Sequence, residues 1–193
     1  MKMKPIRTAI VVTIFWTIVV GGIYPLFMYG VGKVFFPAQA GGSLVTRHGK
    51  LVGSSLIGQD FSTDIYFHSR PSAIKYDASS SGASNEGWTS ADLKKAYDQR
   101  KADWQKVYGP GQPPADMLFA SGSGLDPHIS PAAAEIQVPR VAAARHLSAD
   151  SQARLLALVK SSEEPPQLGF LGEPRVNVLD LNLALDAAFP KTP

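Results

Sequence analysis

The chain has 193 residues, the length of one domain with an appendage; 45% are hydrophobic and 18% charged, a charged share below the usual quarter of a soluble domain. It contains no cysteine, which excludes a disulfide scaffold, a thiolate zinc site, an iron–sulfur cluster and a cysteine nucleophile. The net charge of +3 sits in Lys2, Lys4 and Arg7, because no acid precedes Asp60 and the 16 remaining cations balance 16 acids; the rest of the chain is neutral and offers no nucleic-acid-binding face.

Residues 8–32 carry no charge. As a helix they span about 37 Å at 1.5 Å per residue, and a bilayer core needs only about 20 residues. Three cations precede the run, and after it only Lys33 is charged before Arg47. The positive-inside rule then places the N-terminus in the cytoplasm and residues 37–193 outside it. Trp16, Tyr24 and Tyr29 are amphipathic aromatics, Tyr29 near the outer end where an interfacial ring is expected. Gly21, Gly22 and Pro25 weaken or kink the helix, which membranes tolerate when a neighbouring helix satisfies the backbone, and the glycines suit close helix packing. Ala38-Gln39-Ala40 has the pattern of a signal cleavage site, but signal peptides have apolar cores of about 7–15 residues. The longer run reads as an uncleaved anchor. The expected fold class is α+β: a tip and single transmembrane helix over 1–36, then one mixed α/β extracytoplasmic domain over 37–193.

Gly41-Gly42-Ser43 reads as a hinge. Residues 43–57 mix β-formers with glycine and predict two short strands and a tight turn. Ile65-Tyr66-Phe67, ended by Arg70-Pro71, predicts a strand end and a turn. Residues 77–87 (DASSSGASNEG) have loop composition. Thr89 with Asp92 three residues later has capping-box spacing and opens a helix to about Tyr108, with Leu93, Tyr97, Trp104 and Val107 inward and the pairs Asp98/Lys101 and Asp103/Lys106 outward. Gly109-Pro110-Gly111 and Pro113-Pro114 end it. Ser130-Pro131 is an N-cap followed by proline at the first helical position; the alanine-rich helix after it is expected to be interrupted at Pro139 and to resume over 140–146. Ser148 opens a further helix with Leu155, Leu158 and Val159 inward. Pro165-Pro166 and Gly169 separate it from residues 175–178, which read as a short strand or a helix lead-in. Val178, Leu181, Leu185 and Ala188 then share one face of a C-terminal helix.

Enzyme signatures are sparse. G-x-S-x-G is absent, and the nearest cluster is residues 121–128 (SGSGLDPH). A membrane-anchored hydrolase using Ser121 or Ser123 with His128 is the alternative reading, although triad members come from separate elements and an Asp-Pro turn before an N-cap explains the same residues. His48, His68, His128 and His146 lack metal-ligand spacing, and Gly49-Lys50 fails as a phosphate loop. No catalytic or metal residue is assigned. The polar loops at 54–61, 66–73 and 121–130 suit a binding surface on an anchored domain and equally ordinary turn chemistry.

Five ordered motifs carry a family resemblance: SSLIGQDF at 54–61, YFHSRPSA at 66–73, SGSGLDPHIS at 121–130, QVPRVAAAR at 137–145 and GEPRVNVLDLNLALD at 172–186. Over nearly its whole length the chain resembles the C chains (KdpC) of the bacterial Kdp potassium-transporting P-type ATPase. It departs at 79–87, where the family's Ser-Gly-Gly-Ser-Asn core reads Ser81-Gly82-Ala83-Ser84-Asn85. The resemblance implies an accessory, non-catalytic subunit of a high-affinity potassium importer in the inner membrane. Its implied partners are a channel-like potassium-selecting chain, a P-type catalytic chain and a small membrane subunit. Consistent with this, neither a D-K-T-G-T sequence nor a T-V-G-Y-G filter is present. The family description makes the C chain a catalytic chaperone that raises the ATP affinity of the catalytic chain and stabilises the complex. By that description alone, ATP relates to Ser81, Gly82, Ser84 and Asn85; no cofactor is expected to be firmly bound. The topology opposes direct contact, since ATP is cytoplasmic, and favours coupling through the anchor, docked between partner helices through Gly21, Gly22 and Pro25. Arg70, Asp126, His128 and Arg145 are the candidates for holding loops or meeting partners, the arginines through bidentate carboxylate bonds. Asn177 and Asn182 read as backbone-bonding residues. A free-standing envelope sensor is a third reading.

Overall fold

The computed structural model describes residues 4–47 and 49–190; Lys2 and His48 lie outside them. Two compact units are present, divided after Ser54.

In the first, α1 (Lys4–Ile18) runs through a π-helical turn (Val19–Ile23) into α2 (Tyr24–Phe35). The π turn holds Gly21 and Gly22 and ends two residues before Pro25. Proline has no N–H, and its ring crowds the carbonyl four residues back, here Gly21's; widening one turn relieves both without a break. The apolar run is one continuous helix over Lys4–Phe35, whose most apolar 18 residues have a mean hydropathy of 2.1, with no buried residue. Its length and composition are those of a membrane-crossing helix, a test that N-terminal signal sequences also pass. A short α3 (Pro37–Ala40) and an antiparallel hairpin follow, β1 (Leu44–Arg47) with β2 (Lys50–Ser54). Val45 faces Gly53 while Thr46 faces Leu51, so Val52 is a bulge. Gly49 takes φ +75° in the turn, open to glycine without strain. The predicted hairpin is thus present.

The second unit mixes helix and sheet. Its helices are α4 (Ala91–Tyr108), α5 (Ala115–Leu118), α6 (Pro131–Ala144), α7 (Ala149–Ser161) and α8 (Val178–Ala188). Three short strands, β3 (His128–Ile129), β4 (Glu163–Glu164) and β5 (Arg175–Asn177), pair antiparallel in the order β3-β5-β4. Residues 175–178 satisfy both sequence alternatives: strand to Asn177, then helix from Val178. The Ser130 and Ser148 hydroxyls cap α6 and α7 as expected. Ser90, not Thr89, caps α4, accepting from the N–H groups of Asp92 and Leu93. On α4, Lys94 pairs with Asp98 and Lys106 with Asp103; Asp98 thus pairs with the lysine four residues before it rather than with the expected Lys101, and Val107 is exposed. Pro139 does not interrupt α6. The carbonyl it leaves unpaired is that of Glu135, on the exposed side, where water reaches it.

The core gathers Val138, Val141 and Ala142 from α6, Leu155 and Val159 from α7, Leu181 and Leu185 from α8, Ile129 and Val176 from the sheet, and Phe67. Phe189, just past α8, takes the buried place expected for Ala188, which is exposed. Phe67 is fully buried yet lies in a strap with no regular structure, so the expected strand at 65–67 is absent. Side chains replace its ladder partners. Asn182 accepts from the Phe67 N–H (2.9 Å) and donates to its carbonyl (3.0 Å). Gln137 does the same for His68, at 2.7 and 3.3 Å. Arg140 donates to the carbonyls of Asp64 (2.7 Å) and Tyr66 (2.8 Å), and Arg145 Nε to that of Ile65 (2.7 Å). Every carbonyl from 64 to 68 therefore accepts from a side chain of α6, its C-cap or α8.

Asn182 is 1% exposed, so Asn182→Leu leaves a buried N–H and C=O of Phe67 without partners. We expect a loss of about 2–4 kcal/mol, read from denaturant unfolding of the detergent-solubilised full chain; a change under about 0.5 kcal/mol contradicts the clamp.

Candidate functional site

The three polar loops noted in the sequence converge. The Gly58 N–H donates to the Leu125 carbonyl (2.7 Å), Ser121 N–H to that of Pro71 (3.1 Å), and the Ser72 hydroxyl to that of Gly124 (2.7 Å). The approach at Gly58 is close: a Cβ there would lie 2.5 Å from the Asp126 carbonyl oxygen. Gly124 has φ +69°, and a Cβ would meet Ile74 at 2.5 Å and the Gly82 carbonyl at 2.8 Å. Both positions require glycine.

This framework brings Arg70, Asp126 and His128 together at an open cleft of about 450 Å³, which Asp116, Ser130 and Arg175 also line. Asp126 Oδ1 accepts from the His128 N–H (3.0 Å), closing a turn over Pro127, and its Oδ2 accepts from Arg70 Nη1 (2.8 Å). The arginine bond is single rather than bidentate, and Arg70 Nε is buried without a partner. Burial pushes the Asp126 carboxyl up, but the hydrogen bonds from His128 and the Arg70 charge together outweigh it and hold it below its ordinary value. Asp116 accepts from the Ser130 N–H and hydroxyl, at 2.7 and 3.2 Å, and Arg175 pairs with Glu164 at 2.8 Å. Tyr76 donates its hydroxyl to the Arg70 carbonyl. Burial, with the Asp60 charge, pushes that phenol up to about 12, so it stays a donor.

Arg145 is elsewhere. Its side chain is 4% exposed and binds Asp186 at 2.6 Å through one nitrogen, the Ile65 carbonyl through Nε and the Phe189 carbonyl at 2.9 Å through Nη1, and it lies over the Tyr66 ring. The bidentate expectation fails here because backbone carbonyls take the other donors. Burial, then the Arg140 charge, holds His68 below its ordinary value.

The loop at 79–87 is tied to the same framework: Gly82 N–H and the Ser81 hydroxyl donate to the Ser123 carbonyl, at 2.9 and 3.3 Å. Ser84 lines a separate hollow of about 360 Å³ with Glu86, Asp92 and Arg100. Arg100 donates to the Leu118 carbonyl (2.8 Å), and two acids share the hollow, so its electrostatics oppose a triphosphate. Asn85 adopts φ +55°.

The Ser–His alternative finds no geometry. Among the described residues no hydrogen bond joins Ser121 or Ser123 to His128. The Ser123 hydroxyl instead accepts from the Leu125 N–H (3.0 Å), and Ser121 is 3% exposed. Among the described residues no three His, Asp or Glu gather as for a metal. Around Gly21 and Gly22 a Cβ would meet nothing within 4 Å. The residues missed in the sequence are Gln137 and Arg140. Their signal is two polar side chains three apart in an alanine-rich helix whose one other polar residue is Glu135.

Comparison with known proteins gives a coherent set. The family model described as "KdpC: K+-transporting ATPase, c chain" matches residues 6–187. Similar proteins include the "Potassium-transporting ATPase KdpC subunit" of Geobacter sulfurreducens, 49% identical over 97% of this chain and all of the relative. Those of Gemmatimonas aurantiaca (50%, covering 99% and 96% of the two chains) and Citrifermentans bemidjiense (50%, covering 95% and 97%) carry the same name.

Because the folded Asp126 carboxyl titrates below its unfolded value of about 3.9, its contribution is complete above that value and is lost as pH falls through the folded one. Melting temperatures between pH 6 and pH 2 should therefore show the wild-type advantage over Asp126→Asn shrinking below about pH 4; a constant difference refutes the assignment.

Proposed function

This chain belongs to the KdpC family, the c chains of K+-transporting ATPases, and on that premise we propose that it is a single-pass accessory subunit that performs no catalysis of its own. The reading rests above all on the family match, which covers residues 6–187. Its N-terminus is cytoplasmic, with Lys2, Lys4 and Arg7 ahead of the uncharged run at 8–32, and residues 37–193 are extracytoplasmic. The helix Lys4–Phe35, none of whose residues is buried, supports an anchor that packs against partner helices, and its glycine backbone at Gly21 and Gly22 near Pro25 suits close approach. The partners are the channel-like potassium-selecting subunit, whose outer mouth this domain caps, and the P-type catalytic subunit. Stabilising that assembly promotes ATP use by the catalytic subunit through coupling, as a catalytic chaperone without nucleotide contact.

The occupied hydrogen-bonding groups of the Arg70–Asp126 cleft favour a positioning role: Asp126 organises the loops, and Arg70 Nε keeps one donor unspent.

A C-terminally tagged chain, extracted in mild detergent, should recover a P-type ATPase chain and a channel-like chain in stoichiometric yield; recovery of this chain alone, well folded, refutes the subunit reading. In the recovered assembly, Ser84→Ala with Asn85→Ala should leave the KM for ATP within about twofold. A tenfold rise would place nucleotide at this loop and overturn the indirect mechanism.

A further inference from the structure

Between β4 and β5 the chain makes a narrow projection. Gln167 and Leu171 exchange both backbone hydrogen bonds at 2.9 Å, Gly169 N–H donates to the Pro166 carbonyl (3.0 Å), and Leu168 and Gly169 take φ +54° and +83°. The base is stiff. Pro165 and Pro166 fix their own φ, Glu164 pairs with Arg175 at 2.8 Å, and β5 is rooted by Val176, fully buried in the core. At the tip Leu168 is 82% exposed, Phe170 74% and Leu171 49%. Single exposed apolar side chains are ordinary; three within four positions on a preorganised turn form a patch.

We propose that the tip 167–171 is a docking wedge whose occupant is a groove on a partner subunit of the transport assembly, with an apolar floor and Lys or Arg at its rim. The charge around the tip selects this occupant. Arg175 pairs with Glu164 at the base, and Lys160 lies before the segment; Glu163 and Glu173, exposed on either side of the tip, remain as its acidic shoulders. Surface-binding segments of membranes carry Lys and Arg to meet anionic headgroups, so acidic shoulders on an apolar tip are repelled by a bilayer and attracted to a basic-rimmed protein groove. The stiff base lowers the ordering cost of docking. This inference rests on the subunit reading above.

The absence of cysteine makes a Leu168→Cys chain uniquely labelable. Its reaction rate with a water-soluble maleimide is measured for the full chain alone in detergent, alone in phosphatidylcholine vesicles with and without phosphatidylglycerol (reagent on both sides), and in the co-expressed, co-purified assembly. Fast labelling alone in all three settings and at least tenfold slower labelling in the assembly is the expected result. Equal rates with partners present overturn the wedge while leaving the subunit reading intact; failure of the unsubstituted chain to recover partners sinks the subunit reading instead. Slow labelling of the chain alone overturns the proposal by assigning the tip to lipid, when confined to vesicles, or to a second copy, when seen in detergent. As a second arm, Leu168→Asp with Phe170→Asp, made in the full chain and present in membranes at the unsubstituted level, should lower partner recovery at least tenfold; unchanged recovery overturns the wedge.

Discussion

The strap at 64–68 imposes the constraint on which the second unit depends. It carries Phe67 into the core without a neighbouring strand, so its backbone polar groups need partners from elsewhere. A buried, unpaired N–H or C=O costs about 1–3 kcal/mol, a large fraction of ordinary domain stability. Two side-chain amides solve this with unusual economy, because an amide presents a donor and an acceptor side by side, as a strand backbone does. Asn182 serves Phe67 and Gln137 serves His68. Arg140 then links Gln137 Oε1, the Tyr108 hydroxyl and two strap carbonyls, which ties α4, α6 and the strap together. These bonds lie in or beside the core, where they are screened least; the exposed Lys94–Asp98 and Lys106–Asp103 pairs on α4 are worth far less.

The strap's position determines the cleft. Two residues beyond His68, Arg70 reaches Asp126, and Pro71 and Ser72 bind the backbone at Ser121 and Gly124. Most polar groups there hold a loop against another loop or close a turn, Arg70 Nε excepted. A hydrolytic serine needs its hydroxyl beside a base, whereas the Ser123 hydroxyl closes its own turn. Most of these polar residues thus serve rigidity, and large exposed apolar surface remains on the helix Lys4–Phe35 and the tip at 168–171. That distribution suits a chain that works by binding neighbours.

Much of this was legible in the sequence because it depends on local chemistry. Ser130 and Ser148 announce helix starts through capping, and the uncharged run at 8–32 announces its helix through composition. The glycines of residues 43–57 announce a hairpin. Arg70, Asp126 and His128 stand out as polar residues in dense loops, and they do meet. The strap was not legible: Ile65-Tyr66-Phe67 has strand composition, and only the tertiary placement of Gln137 and Asn182, 69 and 115 positions from their partners, removes the need for a strand. Pro139 misleads for a related reason, since its cost depends on whether Glu135 faces water. The bidentate pair fails at Arg145 because backbone carbonyls take its other donors, which no spacing rule registers, and at Arg70 because only Nη1 reaches Asp126 while Nε stays without a partner.

The second unit depends on the strap being held by side chains as firmly as a strand is held by its ladder. Residue-resolved hydrogen exchange of the full chain tests this directly at the amides of Phe67 and His68. They should exchange as slowly as those of the core helices α6 and α8, despite lying in irregular structure. Exchange at the rate of the exposed 79–87 loop would contradict the clamp and, with it, the rigidity of the second unit.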